Sequence, residues 1–201
     1  MKRDIRSTAR TPEIQGDDAT PRLFGHAALF DSESLVMFDP DVLADADGNA
    51  LPFVEVIASE AFTRSLRANP DVVALYNHDT SDVLGRTSSG TLELGLDDLG
   101  LWFNCWLPDT TAGRDARTLV KRGDIRGCSF GFSVREDRVE VRAGLPALRT
   151  LLEVDLFEVT IATAFPAYPA TTTEARTLEP RPSHDLGIAA HYNRLRRLLV
   201  Y

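Results

Sequence analysis

Residues 126–134, Arg-Gly-Cys-Ser-Phe-Gly-Phe-Ser-Val, alternate strictly between two kinds of residue. In an extended chain Cys128, Phe130, Phe132 and Val134 fall on one face, and Gly127, Ser129, Gly131 and Ser133 on the other. The first face needs a core. The second is a stripe almost without side chains, on which Ser129 is a hydroxyl flanked by two glycines. Glycine inside a strand weakens it and marks a place where another backbone or a ligand comes close. An extended peptide laid against this stripe would bring a carbonyl to Ser129. The competing account is an ordinary strand whose small residues pack under a helix, and these residues alone favour it.

Gly127, Ser129 and Gly131 also fit G-x-S-x-G, in which the serine sits on a sharp turn between a strand and a helix. Here Phe132 and Val134 continue the alternation, which keeps Ser129 within a strand. The two cysteines make no disulfide framework. Cys105 is in phase with Leu101, Phe103 and Leu107, and Cys128 with Phe130 and Phe132, so both read as small core residues. A Cys128 nucleophile would point away from the glycine stripe.

The 201 residues are 43% hydrophobic and 26% charged, enough for one domain with a sizeable core and an appended tail. A formal charge of −8 argues against a general nucleic-acid or membrane-surface binder, which carries a basic surplus. No apolar run approaches the ~20 residues that span a bilayer. Residues 1–22 are polar, without the apolar stretch of a secretion signal, and this points to the cytosol.

Residues 1–21 read as a disordered arm, rich in charge and turn-formers. A strand follows at 23–30, then an acidic loop over 39–52. That loop does not match a calcium loop, because counting from Gly48 leaves Leu43 at the first ligand position and no closing glutamate. It reads as solvated. Ser59 is placed to cap a helix over 60–68, stopped by Asn69-Pro70. Strands are predicted at 72–78, 91–96 and 101–107, the last two as a hairpin about Asp97-Asp98-Leu99-Gly100. A helix starts at Asp109 or Thr110 and stops at Gly123. The Ser129 strand, a ribbon through Val139 and Val141, and a long strand at 148–164 follow. Many short strands with two helices between them predict a mainly β fold with helices (α+β), an antiparallel β-barrel decorated by helices. Residues 173–201 read as a Thr/Pro-rich linker and a C-terminal amphipathic helix, with Ile188, Tyr192, Leu195 and Leu199 on one face.

A serine nucleophile needs a base within hydrogen-bond reach and a third group to orient that base. Of four histidines, His26 has no distinctive context, and His184 and His191 lie in the tail. His78 ends an apolar strand, in phase with Val72, Ala74 and Tyr76, where its side chain can face a cleft. Candidate third members are Glu153, Asp155 and Glu158. Glu158 is in phase with Leu152, Val154 and Leu156, and a carboxylate among apolar neighbours needs a partner such as an imidazole. Glu153 and Asp155 lie on the other phase, where a solvated role is simpler. Asp79 adjoins His78 and would face away from it.

Several blocks together resemble the prohead maturation protease family of tailed bacteriophages. They are Gly25-His26-Ala27-Ala28-Leu29-Phe30, Ala61-Phe62 with Ser65-Leu66, and Leu75-Tyr76-Asn77-His78-Asp79. They continue with Val83-Leu84-Gly85-Arg86-Thr87-Ser88-Ser89-Gly90-Thr91-Leu92 and Gly123-Asp124-Ile125-Arg126-Gly127-Cys128-Ser129-Phe130-Gly131-Phe132. The last are Leu156-Phe157-Glu158-Val159-Thr160-Ile161 and Pro166-Ala167-Tyr168-Pro169-Ala170-Thr171. The likeness covers residues 22–172, taken as the protease domain. Its order and spacing are specific where each block alone is short.

The resemblance implies a serine endopeptidase with a barrel similar to herpesvirus assembly proteases, in which base, nucleophile and third member come in that order along the chain. His78, Ser129 and Glu158 match it; the α/β-hydrolase order would be Ser129, Asp155, His184. The implied substrate is the capsid scaffold or the N-terminal scaffolding extension of the major capsid protein, cleaved inside assembling proheads in the host cytoplasm. It implies no metal or cofactor; the acidic charge balance leaves no nucleic acid or membrane as a partner, and a homo-oligomer, such as a dimer, is expected. Oxyanion donors near Ala164-Phe165 or at Arg86 are open candidates. The competing class is a non-catalytic scaffold-binding protein with the same barrel.

Overall fold

In the computed structural model, which describes residues 3–17, 20–68 and 71–162, strands dominate. In chain order they are β1 (Asp4–Thr8), β2 (Glu13–Gln15), β3 (Arg22–Leu29), β4 (Met37–Phe38) and β5 (Pro52–Ile57), then helix α1 (Thr63–Arg67). β6 (Val73–Tyr76), β7 (Asp79–Arg86), β8 (Leu92–Leu96) and β9 (Gly100–Trp106) precede helix α2 (Thr111–Arg122), and β10 (Gly127–Glu140) and β11 (Ala147–Ala162) complete the set.

One sheet has the order β1-β10-β11-β5-β4, with β6 also on β11 and β7 on β6; the other has the order β2-β3-β9-β8. The first curls into a half-barrel. The fold is mainly β with few helices, in line with the alternating segments of the sequence; the predicted all-antiparallel pairing is corrected, since β5 and β6 each run parallel to β11. Its core takes Leu23, Ala27, Leu101, Phe103 and Cys105 from the smaller sheet and Phe130, Phe132, Val154, Leu156, Val159 and Ile161 from the larger. Each of the leucine, phenylalanine, valine and isoleucine side chains contributes roughly 1.5–3 kcal/mol by leaving water. Cys105 and Cys128 are both buried, as the alternation requires. Burial pushes the Cys105 thiol up to about 12 and that of Cys128 higher still.

β11 is the backbone of the larger sheet. Antiparallel β10 lies on one side; on the other, β5 pairs in parallel with its first part and β6 with its last. Between those two partners the β5–β6 connection closes the ladder. Val154 N–H donates to the Ala61 carbonyl and Leu156 N–H to Ser65 Oγ, both at 3.0 Å. This use of Ala61 and Ser65 explains a helix shorter than the predicted 60–68: α1 starts at Thr63 without a side-chain cap, and Ser59 does not cap it. α2 follows the prediction, with Thr110 Oγ1 accepting from Gly113 N–H and Gly123 left-handed at φ 79°.

The predicted N-terminal arm is corrected. Residues 3–17 belong to the same compact unit as the other described residues, and β1 and β2 are strands at sheet edges. Their polar composition signals disorder only while no partner is in view. β10 supplies β1 with a ladder, and Arg6 reaches the buried Glu55 carboxylate, Nε–Oε1 2.8 Å. The acidic loop is folded on itself: Asp45 accepts from Asp47 N–H and Asn49 N–H, and Ala44 bridges to Ala50. The predicted helix stop at Asn69-Pro70, Ala164-Phe165, His184, His191 and the tail helix lie outside the described residues.

Candidate active site

β6 and β7 are joined by two residues, since Tyr76 pairs with Asp79 across the hairpin. Asn77 and His78 therefore form the turn, with φ of 52° and 60°. Positive φ at both central positions suits the twist of a two-residue hairpin, and glycine commonly takes the second. The apolar alternation predicts a strand through His78; the strand ends at Tyr76. Nothing in Asn77-His78 announces such a turn, because its glycine is replaced by a histidine. A non-glycine residue held left-handed costs on the order of 1–3 kcal/mol and persists where surrounding structure imposes it. One restraint is the Asn77 N–H, which donates to the Ile161 carbonyl at 3.0 Å. Asp79 turns away, accepting from Ser81 N–H.

Ser129 lies on β10 between Ser7 of β1 and Thr160 of β11. Its Oγ is 2.6 Å from His78 Nε2. The other ring nitrogen, Nδ1, is hydrogen-bonded to Glu158 Oε1. A carboxylate accepts only, so Nδ1 carries the proton, and the Nε2 lone pair faces the serine hydroxyl. The structure thus brings His78, Ser129 and Glu158 into one hydrogen-bonded line.

Glu158 reaches that line through a register shift. Gly131 pairs with Glu158 and Phe132 with Leu156, which leaves Phe157 as an extra residue. Before this bulge Val154 and Leu156 are buried; after it Val159 and Ile161 are. Strict alternation put Glu158 on the core phase with Leu156. The bulge moves it to the face of Ser129. Gly131 makes the remaining room: a Cβ there would lie 2.6 Å from Glu158 Cγ. Gly127 admits backbone, since its Cβ would lie 2.6 Å from the Thr8 carbonyl oxygen. The glycine stripe accommodates Glu158 and the chain's own β1, and not the bound peptide that the sequence predicts in that space.

The rejected carboxylates are engaged elsewhere. Arg64 holds Glu153 and Asp155, each at 2.5 Å, and Arg135 also holds Asp155. Burial pushes the Asp155 carboxyl up, but the hydrogen bonds from Arg135 and Arg64 prevail and hold it below the usual carboxylate range. Arg86 is paired with Asp71 at 2.5 Å. His26 is buried in the smaller sheet with its Nε2 2.9 Å from Asp97 Oδ2, a pairing its sequence context does not signal. Thr160, also missed by the sequence reading, is buried with its Oγ1 3.4 Å from Glu158 Oε1.

A hydroxyl, an imidazole and a carboxylate arranged in this order form the constellation by which serine enzymes activate an oxygen nucleophile. The chain belongs to the caudovirus prohead serine protease family, whose model matches residues 7–183. Its role accordingly lies in phage prohead maturation, with capsid or scaffold proteins as the substrate class. No curated protein and no solved structure matches the chain. No helix among the described residues is long and apolar enough to cross a membrane.

Proposed function

We propose that this chain is a serine endopeptidase that cleaves the capsid scaffold, or the scaffolding extension of the major capsid protein, inside assembling proheads. The observation that carries the reading is the pair of contacts on one imidazole, Ser129 Oγ at Nε2 and Glu158 at Nδ1. His78 Nε2 takes the hydroxyl proton as Ser129 Oγ attacks the scissile carbonyl, and the same nitrogen returns it to the leaving amine. Water then enters by the reverse path: His78 takes its proton, the acyl–oxygen bond breaks, and Ser129 recovers its hydrogen. Glu158 holds the ring in the required tautomer and stabilises the imidazolium. The order of the three residues along the chain also supports a fold relation to herpesvirus assembly proteases.

A fluorophosphonate probe tests the site directly, since phosphorus–oxygen bond formation at an activated serine expels fluoride. Labelling at Ser129 that disappears in Ser129→Ala is expected. Co-expression with the neighbouring capsid genes, followed by mass spectrometry of the capsid protein's N-terminus, tests the substrate. An unlabelled chain in a scaffold-containing prohead would favour a non-catalytic scaffold binder.

A further inference from the structure

We infer that Thr160 is a positioning residue of this site, whose hydroxyl fixes which oxygen of Glu158 faces His78. The inference rests on the proposed triad. Thr160 sits at the centre of the site's hydrogen-bond ladder, paired with Ser129 on one side and with Leu75 of β6 on the other. It is two residues beyond Glu158, past the bulge, so both side chains stand on the same face of β11.

Three observations assign the role. First, Thr160 is fully buried, where a hydroxyl without a partner is costly, and among the described residues its hydroxyl has Glu158 as its one hydrogen-bond partner. Second, a carboxylate can only accept, so the hydroxyl donates, and it does so to Oε1, the oxygen that also receives the His78 Nδ1 proton. Two donors converge on one atom while the broad, two-fold terminal torsion of glutamate would otherwise let the oxygens exchange. Third, threonine is branched at Cβ and stiff at χ1, so its donor direction is set by the strand. The separation of 3.4 Å is long for a hydroxyl donor, as catalytic hydrogen bonds often are before substrate arrives.

Fluorophosphonate labelling of the full-length chain separates these claims without a known substrate. Thr160→Val keeps the shape and removes the donor. The maximal labelling rate at Ser129 is expected to fall about tenfold, the low end for a hydrogen bond to a charged group, with half-saturating probe concentration unchanged and melting temperature lowered by no more than a few degrees. Thr160→Ser should restore the rate to within about threefold, because it keeps the hydroxyl. In a Glu158→Gln background the added Thr160→Val should cost nothing further, since the hydroxyl acts through the carboxylate. Wild-type labelling in Thr160→Val overturns the inference. So does a Thr160→Ser variant as slow as Thr160→Val, or a full tenfold loss on top of Glu158→Gln. Failure of the triad itself looks different: Ser129→Ala would still be labelled, or Glu158→Gln would react at the wild-type rate.

Discussion

At the scale of single residues, the histidine carries the clearest cost of function. His78 occupies a left-handed turn position that glycine fills without strain. Replacing it by Ala or by Gly removes the imidazole equally, so the two variants differ only in backbone. His78→Gly should be more stable than His78→Ala by about 1 kcal/mol, read from denaturant midpoints, and neither should be labelled at Ser129. In a strand, as the sequence suggested, the order would reverse, because glycine there is worse than alanine by roughly 0.5–1 kcal/mol. Cys128 makes the opposite case. It is fully buried among the core residues, with its thiol pushed far up by burial. Cys128→Ala should keep its labelling rate and lose roughly 1 kcal/mol to a small cavity. Ser129 and Cys128 were legible in sequence because both depend only on a local alternation. The backbone state of His78 was not, because the turn is imposed by pairing between β6 and β7.

At the scale of elements, the site depends on how β10 and β11 are registered. Glu158 was a legible candidate, since an acidic residue between Phe157 and Val159 demands a partner. Its face was not legible: a bulge is defined by two strands, and the extra residue at Phe157 appears only when Gly131 and Phe132 are set against Glu158 and Leu156. Gly131 is the element's sensitive point. Gly131→Ala would drive a methyl group into Glu158 Cγ, and with flanking strands on both sides the carboxylate is what yields. A displacement of about 1 Å at a catalytic group can cost on the order of 100-fold. Gly131→Ala should therefore fold, with a melting temperature within a few degrees of wild type, while its labelling rate falls by about that factor. An unaffected rate would show that Glu158 tolerates displacement and that the open stripe serves another purpose.

At the scale of the whole molecule, the surprise is the N-terminus. Local composition reads residues 1–21 as an arm, and composition cannot reveal that β10 would otherwise present an open edge beside the nucleophile. β1 fills it with a five-residue ladder running from Asp4 opposite Phe132 to Thr8 opposite Cys128. Arg6 then joins β1 to the far side of the sheet through Glu55, which is fully buried and shared with Arg149, itself held by Asp137. A buried carboxylate that loses one cation is left undercompensated, at a cost of about 3 kcal/mol. Arg6→Ala should lower stability by about that amount without touching Ser129, His78 or Glu158. Deleting residues 1–8 should do more, because it also exposes a long strand edge of the kind that pairs between molecules. The truncated chain is expected to melt well below wild type and to associate in light scattering as it does so. The Arg6→Ala chain should stay monodisperse. Equal melting temperatures for the truncated and full-length chains would instead return these eight residues to the dispensable arm that their composition describes.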